Sequence, residues 1–239
     1  MRSENTIKQL MLGTALATVL AFAGTAWANN NDAFITQAGS SSTAEQTQTG
    51  NDNTATINQL ALSSGNDADQ IQTNNNNTAL ITQSGSLSDA TQTQGGGTFN
   101  DAEATQSGIN NTASQSQSGS DNTADITQAG DDSSATQSQT GIDNTASITQ
   151  NLGSDNNTAA QTQLGDLNVA SITQSGSDSD ATQTQTGNSN TATIAQSSAN
   201  NSATQSQTGN LNTATATQSG IDNNSSQTQN DNGNSATVL

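Results

Sequence analysis

Over most of this chain, small or apolar residues and Gln alternate with Thr, Ser and acidic residues, in short runs broken by Gly- and Asn-rich connections. Thr123-Ala124-Asp125-Ile126-Thr127-Gln128 shows the pattern: Ala, Ile and Gln fall on one side of a period of two, and Thr and Asp on the other. A period of two is that of a β-strand, so each run predicts a strand of about seven residues and each connection a tight turn. One Ala sets the register of the runs. It stands at Ala33, Ala44, Ala55, Ala68, Ala79 and Ala90 and so on to Ala236, usually 11 residues apart, with Ser225 in one place. The few longer spacings fall in the connections, where extra residues cost least.

Four residues after this Ala comes a Gln, as at Gln48, Gln59, Gln128, Gln139, Gln150, Gln185 and Gln196. Two residues after it, Gln alternates from run to run with an apolar residue: Gln46, Gln70, Gln92 and Gln115 against Ile35, Ile57, Ile81 and Ala104. These two columns hold every Gln beyond residue 28. The true period is therefore 22 residues, an A-x-I-x-Q half followed by an A-x-Q-x-Q half. The sequence predicts an all-β fold, a β-solenoid of 22-residue strand–turn–strand coils competent for cross-β stacking. About nine and a half coils, each rising ~4.8 Å, would make a rod of roughly 45 Å. It forms one domain, 29–239.

The inward set is predicted from the same alternation. Ser42, Ser133 and Ser179, or Asn53, Asn122, Asn144 and Asn190, stand two residues before the Ala. With them go Ala55, Ala124, Ala146 and Ala192 and the Gln residues named above. Stacked copies of the Asn and Gln amides would bond to one another above and below. Thr54, Thr56, Thr123 and Thr127 face outward. Gly50, Gly119, Gly141 and Gly187 mark turns.

Composition changes this picture in one respect. Residues 1–28 contain Arg2 and Lys8, an apolar stretch from Leu10 to Ala23, and the small-x-small sequence Ala26-Trp27-Ala28. They read as a signal peptide cleaved between Ala28 and Asn29, which directs the chain to a secreted, extracellular location. The apolar stretch is too short and too interrupted to predict a membrane span, so no membrane insertion is expected after processing. Beyond it lie no Lys, Arg, His, Cys, Pro or Tyr; the chain's 20 acidic residues less Glu4 leave 19. Nucleic acid is excluded as a partner, since nothing can neutralise phosphate. Disulfides and a His- or Cys-based triad are excluded too, so no enzyme is expected. A chain this polar would be disordered unless its amides paired regularly.

At this point the residues resemble the curlin family, whose repeat is S-x5-Q-x-G-x2-N-x-A-x3-Q. Ser42, Gln48, Gly50, Asn53, Ala55 and Gln59 fit every position. So do Ser133, Gln139, Gly141, Asn144, Ala146 and Gln150, and Ser179, Gln185, Gly187, Asn190, Ala192 and Gln196. Asn111 replaces the Ser ahead of Gln117, Gly119, Asn122, Ala124 and Gln128. The resemblance implies a subunit of curli, the extracellular amyloid fibres of bacterial biofilm matrices. Its partners would be itself, as a homopolymer, a nucleator, and dedicated export or chaperone factors. Family members usually carry a non-repeat leader for the outer-membrane pore, whereas here the repeats start almost at Asn29.

Two alternatives compete. Thr or Ser stands one residue before most of the final Gln residues, as at Thr36, Thr82 and Thr149. Such an outward ladder would suit an ice-binding or adhesin solenoid, although Thr also simply favours exposed strands. Asp121 and Asp131-Asp132 offer oxygens for calcium, but the Gly-rich nine-residue calcium repeat is absent. No cofactor or metal site is expected.

Overall fold

The computed structural model describes residues 6–11, 18–23, 30–60 and 63–239, and among them the only regular elements are twenty-one β-strands. Numbered β1 to β21 in chain order, the odd strands form one sheet of eleven and the even strands a second sheet of ten. Every neighbouring pair within a sheet is parallel and one coil apart, for example β11 (Thr123–Gln128) with β13 (Thr145–Gln150), and β10 (Thr112–Ser120) with β12 (Ser134–Ile142). This is a β-solenoid. From β3 onward the odd strands carry the A-x-I-x-Q halves and the even strands the A-x-Q-x-Q halves, so the 22-residue period becomes one turn of the coil.

In-register stacking sets like on like. Ala124 lies beside Ala146, Ile126 beside Ile148 and Gln128 beside Gln150. Burial alternates along each strand; β11 and β13 share the pattern exposed–buried–intermediate–buried–intermediate–buried. The apolar core is a narrow seam. The Ile column of the odd sheet, including Ile57, Ile81 and Ile126, packs with the Ala column of the even sheet, including Ala44, Ala68 and Ala135. Each Ile buries enough to contribute about 1.5–3 kcal/mol. The rest of the interior is amide.

The turns carry a backbone cost. In each connection between β3 and β21 at least one residue takes a positive φ, for example Asp121 (φ 58), Asp143 (φ 56) and Asp178 (φ 54), types that tolerate it. Leu87, Phe99, Leu167 and Leu211 hold the same conformation at φ 56–60. Bulky residues rarely do so.

The solenoid extends further toward the N-terminus than the sequence predicts. β1 (Thr6–Met11) and β2 (Thr18–Ala23), within the stretch read as a signal peptide, pair in parallel with β3 (Asp32–Gln37) and β4 (Thr43–Gln48). Pairing gives their backbone amides partners. Ala28 and Asn29, the expected cleavage point, lie outside the described residues.

Candidate functional site: the amide ladders and the coil edges

Each inward Gln from Gln37 to Gln207 donates two kinds of bond. Nε2 of Gln139 donates to Oε1 of Gln163 in the next coil (2.9 Å) and to the Thr123 carbonyl of the facing sheet (2.8 Å), while its Oε1 accepts from Gln117 (3.0 Å). Gln150 does likewise, donating to Gln174 Oε1 (2.9 Å) and the Ser134 carbonyl (3.1 Å) and accepting from Gln128 (2.9 Å). The glutamines thus bind coil to coil and also stitch sheet to sheet. Gln48, Gln59, Gln128, Gln185 and Gln196 are buried in the same columns. A buried amide without partners costs about 1–3 kcal/mol, and the ladder gives these amides partners.

The Asn and Ser column works differently from a simple amide stack. Oδ1 of Asn122 accepts the backbone N–H of Asn144 (3.0 Å), and its Nδ2 donates to the turn carbonyl of Gly141 (2.9 Å). Asn144 Nδ2 donates both to Asn122 Oδ1 (3.1 Å) and to the Gly165 carbonyl (2.6 Å). Asn53 accepts from the Asn77 backbone (2.9 Å) and Asn190 from that of Asn212 (3.0 Å). Where Ser occupies the column, its hydroxyl substitutes: Ser42 Oγ accepts from the Asn66 backbone (3.2 Å), Ser133 from Asn157 (3.3 Å) and Ser179 from Asn201 (3.2 Å). The column therefore holds turn to strand. Asn66, Asn77, Asn100, Asn111, Asn157, Asn168, Asn201 and Asn212 belong to it as well; their place two residues before the Ala was the signal for them.

Ala55, Ala124, Ala146 and Ala192 are buried at 0–1% exposure, where a longer side chain would hold the sheets apart. Gly119, Gly141 and Gly187 each pack against a glycine of the next coil, and Gly50 against the backbone of Asn74. Gly50, Gly119, Gly141 and Gly187 have φ of 105–128°. A Cβ on Gly141 would lie 2.0 Å from the Gly165 carbonyl oxygen, so stacking as well as φ demands glycine here.

Outward carboxylates stack in register: Glu45 beside Asp69, Asp67 beside Asp89, and Glu103 beside Asp125. Partial burial, then Glu45 and Asp67, raise the Asp69 carboxyl above the usual range; partial burial, then Glu103 and Asp101, raise Asp125. Among the described residues no group of three or more His, Cys, Asp or Glu is placed to hold a metal ion, and Asp121, Asp131 and Asp132 stand in turns. Outward hydroxyls such as Thr82 and Thr149 make no hydrogen bond among the described residues.

A stack of identical coils with amide ladders inside and like residues in register defines a repetitive structural protein. The sequence profile of the curlin associated repeat matches residues 28–60, 97–130, 119–151, 154–187 and 187–220. These segments cover more than half of the chain, and the chain belongs to the curlin-repeat family. The family is one of structural proteins without catalytic activity. Comparison with curated proteins gives no match.

Proposed function

We propose that residues 29–239, exported after removal of residues 1–28, form a subunit of extracellular, curli-like amyloid fibres that build a biofilm matrix and promote adhesion. The observation that carries this reading is the register. Each coil presents at its edge the hydrogen-bond pattern it uses inside, so adding a coil of another copy repeats an interaction the chain already makes. The inward ladder of Ser, Asn, Ala and Gln residues is the assembly element, and a nucleator and export factors would be its partners in the cell. The test is incubation of the purified chain, followed by electron microscopy and fibre diffraction. Fibres with a meridional reflection near ~4.7–4.8 Å are expected; protein that stays monomeric without that reflection refutes the proposal. A thermal-hysteresis measurement on the same sample tests the ice-binding alternative.

A further inference from the structure

The Ile column of the odd sheet is broken in its middle. Ile35, Ile57 and Ile81 are followed by Ala104 in β9 (Asp101–Gln106), and the column resumes with Ile126, Ile148 and Ile172. Ala104 pairs with Ile81 on one side and Ile126 on the other. It is 1% exposed, so the carbons that Ile supplies beyond Cβ in both flanking coils are missing from a closed interior. Ala216, beside Ile194 and Val238, is the other Ala in this column; only Ala104 has Ile on both sides.

Nothing across the interior makes up the loss. The Ile column packs with the Ala column of the even sheet, whose members here are Ala90 in β8 (Asp89–Gly95) and Ala113 in β10. Nor do the sheets close on the gap. Next to Ala104, Gln115 Nε2 reaches the Glu103 carbonyl at 2.8 Å. Beside Ile81 and Ile126 the same cross-sheet bonds, Gln92 to the Leu80 carbonyl and Gln137 to the Asp125 carbonyl, span 2.9 and 2.8 Å. The amide ladder thus holds the sheets at the separation an Ile requires. Ile81 and Ile126 lie two coils apart, about 9.6 Å at ~4.8 Å per coil, and β-branching stiffens their side chains. A layer one atom thick fits between them.

The amides around the gap are already engaged. Gln92, Gln106 and Gln115 each donate at least twice from Nε2 and accept at Oε1. A buried water needs two to four polar partners, and these amides offer it none.

We propose that the interior at Ala104 is a dry void that binds one small apolar guest: a noble-gas atom, dioxygen, or a hydrocarbon no larger than the carbons Ile would have added. Its walls are Ile81, Ile126, Ala90 and Ala113. A guest restores the dispersion contacts these walls lack, and a closed apolar cavity stays dry and admits such guests. Local opening of the coil lets them in. The site selects by size and apolarity alone, and it exists in a single chain whether or not copies assemble.

The probe is xenon, applied to the folded full-length chain with isotope-labelled Ile methyls, in solution or as fibres under magic-angle spinning. Saturable shifts are expected at the methyls of Ile81 and Ile126, and none at those of Ile148 and Ile172. A104I should abolish them and slow hydrogen exchange of the β9 amides at least roughly tenfold, because it fills the gap. A124I adds the same carbons to the neighbouring Ala column, where no position is depleted, and should speed exchange by overpacking. Should A124I fail to fold, the xenon titration and A104I decide alone. Absence of any shift at saturating xenon, equal shifts at all Ile methyls, or faster exchange in A104I would mean that the column has repacked around Ala104, and each overturns the proposal.

Discussion

Replacing Gln139 and Gln150 with Ala should damage the solenoid far more than replacing their outward neighbours Ser138 and Thr149. Truncating Gln139 leaves Gln163 Oε1 without its donor, removes the acceptor of one Gln117 amide hydrogen, and strips the Thr123 carbonyl of its cross-sheet bond. Truncating Gln150 does the same to Gln174, Gln128 and the Ser134 carbonyl. Unsatisfied buried groups cost about 1–3 kcal/mol each. With two amide groups affected at each site, and Gln117 and Gln128 retaining other acceptors, about 2–4 kcal/mol per substitution is expected. Ser138 and Thr149 are only partly exposed, but their hydroxyls make no hydrogen bond among the described residues, so that pair should cost about a few tenths of a kcal/mol. Solenoids do not unfold as a single two-state unit. The sensitive assay is therefore hydrogen exchange of the β11–β13 amides in the native state, alongside guanidinium melts. Loss of protection that spreads into neighbouring coils for the Gln pair and stays negligible for the hydroxyl pair is the expected result. Greater damage from the hydroxyl pair would invert the strand faces and refute the ladder.

The raised carboxyls of Asp69, Asp89, Asp101 and Asp125 give a pH dependence. Their folded pKa values lie above the unfolded ones, so the native state binds more protons in the window between, and stability falls as pH rises through it. The solenoid should be more stable to denaturant, and assemble faster, near the upper carboxylate range than at pH 7; D69N/D125N should flatten that difference, and an unchanged profile would exclude this cause. In the turns, Gly141→Ala should destabilise by well over 1 kcal/mol, from strained φ and the 2.0 Å clash with Gly165. Leu167→Asn, at φ 59, should instead stabilise by up to about 1 kcal/mol; calorimetric melts of the two check the opposite signs.

The repeat and the strand faces are legible in sequence because a period of two confines Ala, Ile and Gln to one side. The 22-residue period separates Ile-bearing from Gln-bearing halves, and these become the two sheets. Other features depend on what lies across the interior. That Gln139 reaches the Thr123 carbonyl follows from how the sheets face each other, which no spacing within a strand encodes. The Asn column spends its amides on turn carbonyls such as Gly141 and Gly165; residue type alone does not distinguish that from amide-on-amide stacking. Ladder direction is hidden for the same reason, since an amide can point either way until a neighbour fixes it. Left-handed turns at Asp143 or Gly119 follow residue preference. At Phe99 and Leu211 the in-register stack overrides it. The sequence carries no sign of β1 and β2, because their stretch lacks the Ala and Gln columns that mark the other strands.

Carboxylates are not spread evenly over the sheet faces, and this links charge to the order in which coils close. Glu45, Asp67, Asp69, Asp89, Asp101, Glu103 and Asp125 all lie on outward faces of strands β4 to β11, and several stack directly on one another. From β12 onward the outward face positions carry one carboxylate, Asp180; most of the others are Thr or Ser. Stacked like charges across a strand pair oppose closure, and beyond residue 28 the chain has no Lys or Arg to offset them. The inward residues of both halves are the same, so the ladder favours every coil about equally. The difference must come from the outside. The C-terminal coils, free of that opposition, can close at neutral pH, while the N-terminal coils gain most from protonation or salt.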